Sequence, residues 1–318
     1  PETAQADTDV VTNPYVGITI DSADKPHVAY HSNDGTFDDV MYSNKISGWS
    51  TAVVVILGSA SITPQTLDIT IDDDDIPQIA FNYVSTIFDQ VVACIGNLNN
   101  ATSFTNESLA FTESTAGDNA ISIVVVDSIG NTIVSWVESG NTQIRKHLKN
   151  KAWSTWETTV EVDASGIIED TSMTIDQAGD LYIFMTTTGN VTRYYKSTNG
   201  GINFDDGPFN ANMSGILDEH CRVRWSYLNY HFPNKIDYTL NEEATNDVYF
   251  NTVLVDTYET WRTTDTAIGI NHGNALGARS IVRTSTGILY LVQQNTSTSD
   301  LEIMKSIDEG VTWTAQDT

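Results

Sequence analysis

Apolar and polar residues alternate with a period of two along most of the chain, and turn-forming residues interrupt this alternation about every 8–12 positions. Helical periodicity is almost absent. The alternating stretches recur as pairs of strands around a tight turn that carries Asp, Asn, Gly or Pro. The clearest copies are VGITIDSADKPHVAYHS at 16–32, LDITIDDDDIPQIAFNY at 67–83, ISIVVVDSIGNTIVSWVES at 121–139 and SMTIDQAGDLYIFMTT at 172–187, with weaker copies at 222–240 and 279–294.

A third strand follows each pair, and an aromatic residue then opens a fourth strand. The aromatic residues recur about every fifty positions, which is the repeat length of a propeller blade. A lone four-stranded sheet cannot bury both of its faces, so the units must stack around an axis. The pattern therefore predicts an all-β, six-bladed β-propeller with four antiparallel strands per blade. The six aromatic residues are Trp49, Phe104, Trp153, Phe204, Trp261 and Trp313.

The predicted propeller is a single domain over residues 15–318. Residues 1–14 form an N-terminal extension or an added edge strand in this interpretation. The sixth unit contains its own outer strand, VTWTAQ, so no exchanged strand is required to join the last blade to the first. The blades are predicted at approximately 15–63, 64–117, 118–169, 170–218, 219–276 and 277–318.

The stretch SIDEGVTW at 306–313 lies at the predicted turn from the third to the fourth strand of the last blade. It combines Ser306, Asp308, Gly310 and Trp313 at a fixed spacing. An Asp side chain accepts hydrogen bonds from the amides of its own turn, Gly supplies a positive φ, and the aromatic ring fills the gap between sheets. A partial copy at the equivalent position of the fourth blade contains Ser197, Asn199, Gly201 and Phe204.

These two stretches resemble the Asp-box repeat of the sialidase/BNR-repeat superfamily of six-bladed β-propellers. The resemblance implies that the Asp-box turns lie on the face away from the active centre. The opposite face, called the open face below, is built from the loops between second and third strands and from the connections between blades. Long loops on a rigid scaffold are where binding usually resides, so the predicted site lies on the open face.

Charge narrows the range of partners. The chain carries 42 acidic against 15 basic residues, a net charge of −27, and such a surface repels nucleic acid. The longest apolar run, AVVVIL at 52–57, is too short to span a bilayer, so no membrane insertion is expected. The chain opens at Pro1 without a signal peptide, from which we expect a processed form or a part of a larger chain or assembly.

Two arginines mark the strongest candidate site on the open face. Arg222 and Arg279 begin the inner strands of the fifth and sixth predicted blades, and two convergent guanidinium groups can bind an anion. Ion pairing with nearby acidic residues of the loops is the structural alternative. The further candidates are acidic or imidazole side chains of the same loops, namely Glu219, His220, His272, Asp118 and Asp170.

The resemblance to sialidases implies three arginines that bind a carboxylate, a Tyr–Glu nucleophile pair and an acidic proton donor. The first predicted blade begins TNPYVGITID and has no arginine, and no residue clearly takes the role of the nucleophilic Tyr. The catalytic residues are therefore left unassigned. A sialidase-like glycoside hydrolase or a polysaccharide lyase is retained as the alternative function.

Acidic loops also suggest a metal. Oxygen-rich loops bind Ca²⁺, and Asp34, Asp38 and Asp39 form such a loop in the first blade. The run of four aspartates at 72–75 occupies a hairpin position at which Asp forms turns in the other blades. Ca²⁺ is the only cofactor that the sequence suggests.

The function predicted first is binding without catalysis. A propeller without a complete catalytic set suits a secreted or surface-displayed module for attachment to a glycan or protein ligand. A structural component of a virion or a cell surface fits the same features. The predicted location is accordingly extracellular, at a cell surface or at a virion surface.

Overall fold

The computed structural model describes residues 15–33, 38–46, 50, 53–56, 62–85, 89–112, 123–127, 129–176, 179–204, 206–211, 218–223, 235–242, 247–254, 262–267, 281–284, 286–294, 301–308 and 312–316. The strands between 218 and 283 are described by their backbone alone. No helix in these ranges is long and apolar enough to cross a membrane.

The described residues form 24 strands. The first three sheets contain β1 (Val16–Ile20), β2 (Pro26–Asn33), β3 (Asp38–Asn44), β4 (Val53–Ile56); β5 (Ile62–Ile71), β6 (Pro77–Ser85), β7 (Asp89–Gly96), β8 (Phe104–Thr112); and β9 (Ile123–Val126), β10 (Thr132–Glu138), β11 (Asn141–His147), β12 (Val160–Asp163). The next three contain β13 (Ile168–Ile175), β14 (Leu181–Thr187), β15 (Thr192–Ser197), β16 (Asp206–Asn210); β17 (Asp218–Val223), β18 (Lys235–Glu242), β19 (Asp247–Leu254), β20 (Arg262–Ala267); and β21 (Ile281–Arg283), β22 (Leu289–Gln294), β23 (Leu301–Ser306), β24 (Thr314–Gln316).

Each sheet is an antiparallel meander whose four strands follow chain order. The first strands of neighbouring sheets pack together: β1 contacts β5, β5 contacts β9, β9 contacts β13, and β13 contacts β17. β21 of the last sheet contacts β1 of the first. The first strands therefore surround a common axis, as in a β-propeller. The predicted all-β propeller class is confirmed.

Apolar side chains fill the space between neighbouring sheets. Ile69 and Phe81 of the second sheet pack with Tyr42 of the first, and Met173 of the fourth sheet packs with Ile133 of the third. Of the six repeated aromatic residues, three pack against these cores, namely Phe104, Trp153 and Phe204. Trp313 is half-buried, and Trp49 and Trp261 lie outside the described residues.

One turn joins the first and second strands in five of the sheets. Its first residue is Asp21, Asp72, Asp127, Asp176 or Thr284, and the amide of the residue three positions later donates to its carbonyl oxygen. That later residue has a positive φ, which Gly and Asp tolerate better than other residues. The positive-φ residues are Asp24, Asp75, Gly130, Gly179 and Gly287.

The turn aspartates stabilise these hairpins through their side chains. Asp72 Oδ1 accepts the amides of Asp74 at 3.0 Å and Ile76 at 2.8 Å, and Asp127 Oδ1 accepts the amide of Asn131 at 2.8 Å. The interpretation of the 72–75 run as a turn is confirmed. The face that carries these hairpins and the turns between third and fourth strands is called the turn face below.

The turn at 306–313 is held by Asp308. Its Oδ1 accepts the Thr312 amide at 2.8 Å and the Ser306 hydroxyl at 2.8 Å. Gly310 lies outside the described residues. The Asp side chain thus binds its own turn, as the sequence predicts.

The partial copy in the fourth sheet has related bonds. Asn199 Oδ1 accepts the amides of Ile202 at 3.1 Å and Asn203 at 3.2 Å, and Ser197 Oγ accepts the amide of Gly201 at 3.0 Å. Gly201 has φ +87°, and a Cβ there would lie 3.0 Å from Ile144 of the third sheet. Glycine therefore allows this turn to approach its neighbour closely.

The predicted blade boundaries at 63/64, 169/170 and 218/219 fall inside strands, because β5, β13 and β17 begin one or two residues earlier. Each of these strands has an irregular register at its start. A β-bulge adds one residue and shifts the alternation, so the hydrophobic pattern becomes regular only after the bulge. The irregularities lie at Pro64/Thr66, Ile168/Asp170 and Asp218/His220.

Truncation of the core between the first two sheets tests the stacking. Leu67 is fully buried there, whereas Leu98 is 46% exposed. We expect Leu67→Ala to lower the free energy of unfolding by about 2–5 kcal/mol, because it removes apolar contacts and leaves a cavity. Leu98→Ala, the matched control, changes it by less than about 0.5 kcal/mol. Urea denaturation of both variants measures the difference, and equal effects would contradict the packing described here.

Candidate functional site

Among the residues predicted for the open face, Asp170 is the one whose side chain is described. It is fully buried on β13, directly after the bulge. Its Oδ1 accepts the amide of Thr171 at 2.8 Å. Asp170 is therefore a buried acceptor near the propeller axis rather than a residue of an exposed loop.

The remaining candidates are only partly placed. Glu219, His220 and Arg222 lie in β17, where His220 pairs with Asn241 and Arg222 with Thr239. Because β13 contacts β17, the structure brings these positions onto the strand next to Asp170. The other three predicted residues lie outside the described ranges and stay predictions, namely Asp118, His272 and Arg279.

The predicted calcium loop is described in part. Asp34 lies outside the described residues, and Asp38 is described by its backbone in β3. Asp39 is buried in the same strand and pairs with Ser32 of β2. Calcium at these three residues stays a prediction.

A second acidic group lies at the hairpin of the second sheet. The carboxylates of Asp72, Asp73 and Asp74 lie close enough together to hold a cation. Burial raises the pKa of Asp72, against the opposing effect of its two amide donors. Lys149 of the third sheet pairs with Asp73 and lies 3.0 Å from Asp74 Oδ2. The ammonium group already offsets the charge of this turn.

Near the open face, Asp163 joins the third and fourth sheets. Arg193 Nη2 and the Tyr195 hydroxyl each donate to its Oδ2 at 2.8 Å. Burial alone would raise the pKa of Asp163, but hydrogen bonds from Ser165 and Tyr195 and the charge of Arg193 outweigh burial and lower it. The carboxylate is thus held in its charged form as a tie between two sheets.

A pocket of about 510 Å³ lies between the same two sheets, toward the turn face. Residues 144–146 of β11 and the segment 157–160 form one wall, and the turn 200–202 of the fourth sheet forms the other. Its volume falls within the range of roughly 300–1,000 Å³ that is usual for small-molecule sites. We therefore take this pocket as the candidate binding site.

An irregular outer strand opens the pocket. Trp156 forms an isolated bridge with His147, and Val160 pairs with Ile144. Three residues of the outer segment, 157–159, consequently face two residues of β11, 145–146. This extra residue is a bulge, a feature that often lies beside functional sites and redirects side chains.

The pocket combines charged, polar and apolar surfaces. Lys146 Nζ lies 3.2 Å from Asp127 Oδ2 and 3.3 Å from the Gly200 carbonyl oxygen. Glu157 and Thr158 are exposed on one wall, and Ile202, with 73% of its surface exposed, stands on the other. Hydrogen-bonding groups beside an apolar patch suit a ligand with hydroxyl groups and an apolar face.

Aromatic residues pack on the cores at the interfaces before the second, third and fourth sheets. Between the first and second sheets, Phe104 packs edge-on against Tyr42 with ring centroids 5.3 Å apart. Between the second and third sheets, Trp153 and Trp156 pack on the core, and their ring centroids lie 4.8 Å and 5.3 Å from that of His147, with the rings tilted. Between the third and fourth sheets, Phe204 packs on the core, and the pocket lies beside Gly200 and Gly201 of the preceding turn.

The predicted open-face location thus does not include this pocket. The sequence signal for it is the stretch WETTV at 156–160, where polar residues break the alternation, opposite the glycine pair of the turn at 197–204. The sequence predicts a structural role for Gly201, because its turn lies away from the predicted active face. The spatial pairing of two such irregularities on neighbouring sheets is not visible in one sequence.

Comparison with known proteins supports the fold. No protein-family model matches the chain, and no curated protein matches it. Solved structures do match. AofleA from Arthrobotrys oligospora is 10% identical with a TM-score of 0.66, covering 98% of this chain and 88% of that one.

Two further structures have the same overall shape. The Aleuria aurantia lectin, described as a six-bladed β-propeller with a novel fucose recognition mode, is 14% identical with a TM-score of 0.58, covering 98% of this chain and 97% of that one. NanB, solved with Optactamide, is 9% identical with a TM-score of 0.64, covering 96% and 68%. At these identities the likeness shows a shared propeller fold.

Removal of the Asp163 charge gives a pH-dependent prediction. Because the pKa of Asp163 is lowered in the folded state, its stabilisation is present above the unfolded pKa of about 3.9 and is lost as pH falls through the folded pKa. We expect Asp163→Asn to lower the free energy of unfolding by about 2 kcal/mol at neutral pH and by less at about pH 3, below the unfolded pKa. Urea denaturation at both pH values measures this change.

Asp206→Asn is the control, because Asp206 is exposed on the outer strand β16. It should change the free energy of unfolding by less than about 0.5 kcal/mol at either pH. If Asp163→Asn lowers the free energy of unfolding equally at both pH values, the ionised carboxylate is not the group that joins the two sheets.

Proposed function

We propose that this protein is a glycan-binding propeller and that the pocket between its third and fourth sheets holds a terminal sugar. The observation that carries the proposal is the open cleft of about 510 Å³, with ammonium, carboxylate, hydroxyl and carbonyl groups beside an exposed isoleucine. The fucose recognition described for the similar Aleuria aurantia lectin supports the same class of ligand.

Charge balance favours a neutral sugar. Lys146 brings one positive charge to the pocket, while Glu157 on its wall and Asp127 beside Lys146 bring two negative charges. The Arg145 guanidinium binds the second sheet instead. A sialic acid or a sulfated sugar would need an excess of positive charge to offset the net −27 of the chain. The pocket has no such excess, and its polar groups can hydrogen-bond a neutral sugar.

Apolar surface favours a sugar with a hydrophobic edge. Ile144, Val160 and Ile202 converge on the pocket from the two sheets. The methyl group of a 6-deoxyhexose can be buried against such side chains, at about 25 cal/mol for each Å² of apolar surface removed from water. We therefore infer α-L-fucosides as the first ligands to test.

We propose that the pocket binds the sugar without hydrolysing it. Glycoside hydrolysis generally requires two carboxylates on opposite sides of the scissile bond. Glu157 is the single carboxylate among the residues that line the pocket. A sialidase-like reaction, the alternative from the sequence, would have to take place elsewhere in the molecule.

We infer in addition that the sheets close into a ring of six blades related to the Asp-box superfamily. The contact between β21 and β1 and the side-chain bonds of Asp308 and Asn199 support this inference. An extracellular role, as an attachment or structural module of a cell or virion surface, fits a glycan-binding propeller. The calcium loop and the open-face arginines stay secondary hypotheses of the same proposal.

A glycan array followed by calorimetry tests the function. We expect the full chain to bind fucosylated glycans, and Ile202→Ala to weaken binding of methyl α-L-fucoside about tenfold by removing apolar surface from the pocket. Because Ile202 is exposed, the thermal midpoint should stay unchanged.

Ile129→Ala is the matched control. Ile129 is a 70% exposed isoleucine in the first hairpin of the third sheet and does not line the pocket. It should bind the fucoside as the unmodified protein does. Equal affinities for all three proteins would place the sugar elsewhere, and an array without any bound glycan would contradict the proposed function.

A further inference from the structure

The pocket wall at 157–160 has little support of its own. Residues 157–159 belong to no strand, and β12 begins only at Val160. The Glu157 amide donates to the Lys146 carbonyl oxygen at 2.8 Å, and Val160 is in register with Ile144. Between these two points the wall bulges outward, so its position depends on what holds the Glu157 carbonyl.

Arg145 holds that carbonyl. Its Nε donates to the Glu157 oxygen at 2.7 Å, and its Nη1 donates to the Leu109 oxygen of β8 in the second sheet at 2.8 Å. A guanidinium group presents its donors in one rigid plane. One side chain therefore joins the wall to the outer strand of the preceding sheet.

We propose that Arg145 is the positioning residue of the glycan pocket, and this rests on the proposed function. The two hydrogen bonds of its side chain fix how far the segment 157–159 stands away from β11. They therefore keep the cleft wide enough to admit a sugar. Without them the wall samples positions that narrow or distort the cleft. The fraction of molecules ready to bind then falls, and the apparent affinity falls by the same factor.

This mechanism predicts a specific kinetic result. If Arg145 acts before the sugar arrives, its loss lowers the apparent association rate constant and leaves the dissociation rate constant unchanged. We expect Arg145→Gln to slow association of methyl α-L-fucoside about tenfold. The amides of Glu157 and Val160 should exchange with solvent faster by a similar factor, because they report opening of the wall. NMR exchange and line-shape measurements on the full chain provide both values.

Arg193→Gln is the matched control. Arg193 also joins two sheets through a side-chain bond, to Asp163 at 2.8 Å, but it lies near the open face and does not line the pocket. It should lower the thermal midpoint without changing fucoside association or exchange at Glu157 and Val160. Equal effects of the two variants on binding would mean that Arg145 acts through general stability, and this would overturn the proposal.

Other outcomes separate this proposal from the proposed function. Unchanged exchange at Glu157 and Val160 in Arg145→Gln would overturn the positioning role, whatever sugar is bound. Faster exchange with unchanged association would also overturn it, because the wall would then not limit binding. If Ile202→Ala loses binding while Arg145→Gln does not, the glycan pocket stands and the positioning role falls. If the unmodified protein does not bind the fucoside, the sugar class fails, and the exchange measurement still decides whether Arg145 holds the wall.

Discussion

Burial of both faces of each small sheet is the constraint on which the whole structure depends. Strands such as β13 and β14 are buried along nearly their whole length, because each lies between two neighbouring sheets. No sheet could bury these side chains alone, and the stability of each is shared with the next. The same constraint leaves only the loops and the grooves between outer strands available for a ligand.

Polar contacts between sheets set the register that apolar packing leaves free. Ser22 of the first sheet donates to Asp75 of the second, Thr132 of the third donates to Gln78 of the second, and Arg193 of the fourth pairs with Asp163 of the third. Lysines at the turn face offset the hairpin aspartates, as Lys146 does for Asp127. Hydrophobic area is non-directional, whereas these bonds are specific, so together they fix how one sheet sits on the next.

The sequence was sufficient for the fold class, the order of strands and the role of the hairpin aspartates, because all three depend on local alternation and turn chemistry repeated along the chain. The predicted starts of β5, β13 and β17 lie one or two residues after the observed ones, because a bulge shifts the alternation of polar and apolar residues there. The pocket could not be predicted for a related reason. It arises where the bulge before Val160 faces Gly201 on another sheet, and this proximity is a property of the stacked sheets rather than of either segment.

A repeated scaffold can thus acquire a site by a local defect at one interface. The cleft before the second sheet contains Phe104 and the cleft before the third contains two tryptophans, so both contribute to the core. Before the fourth sheet, Phe204 contributes to the core as well, and an extra residue of the segment 157–159 widens the cleft beside Gly201. An opening in a packed interface loses dispersion contacts and costs stability, and Arg145 offsets part of this cost by tying the wall to the preceding sheet. The widened cleft and the arginine that holds its wall are therefore parts of one local feature of this interface.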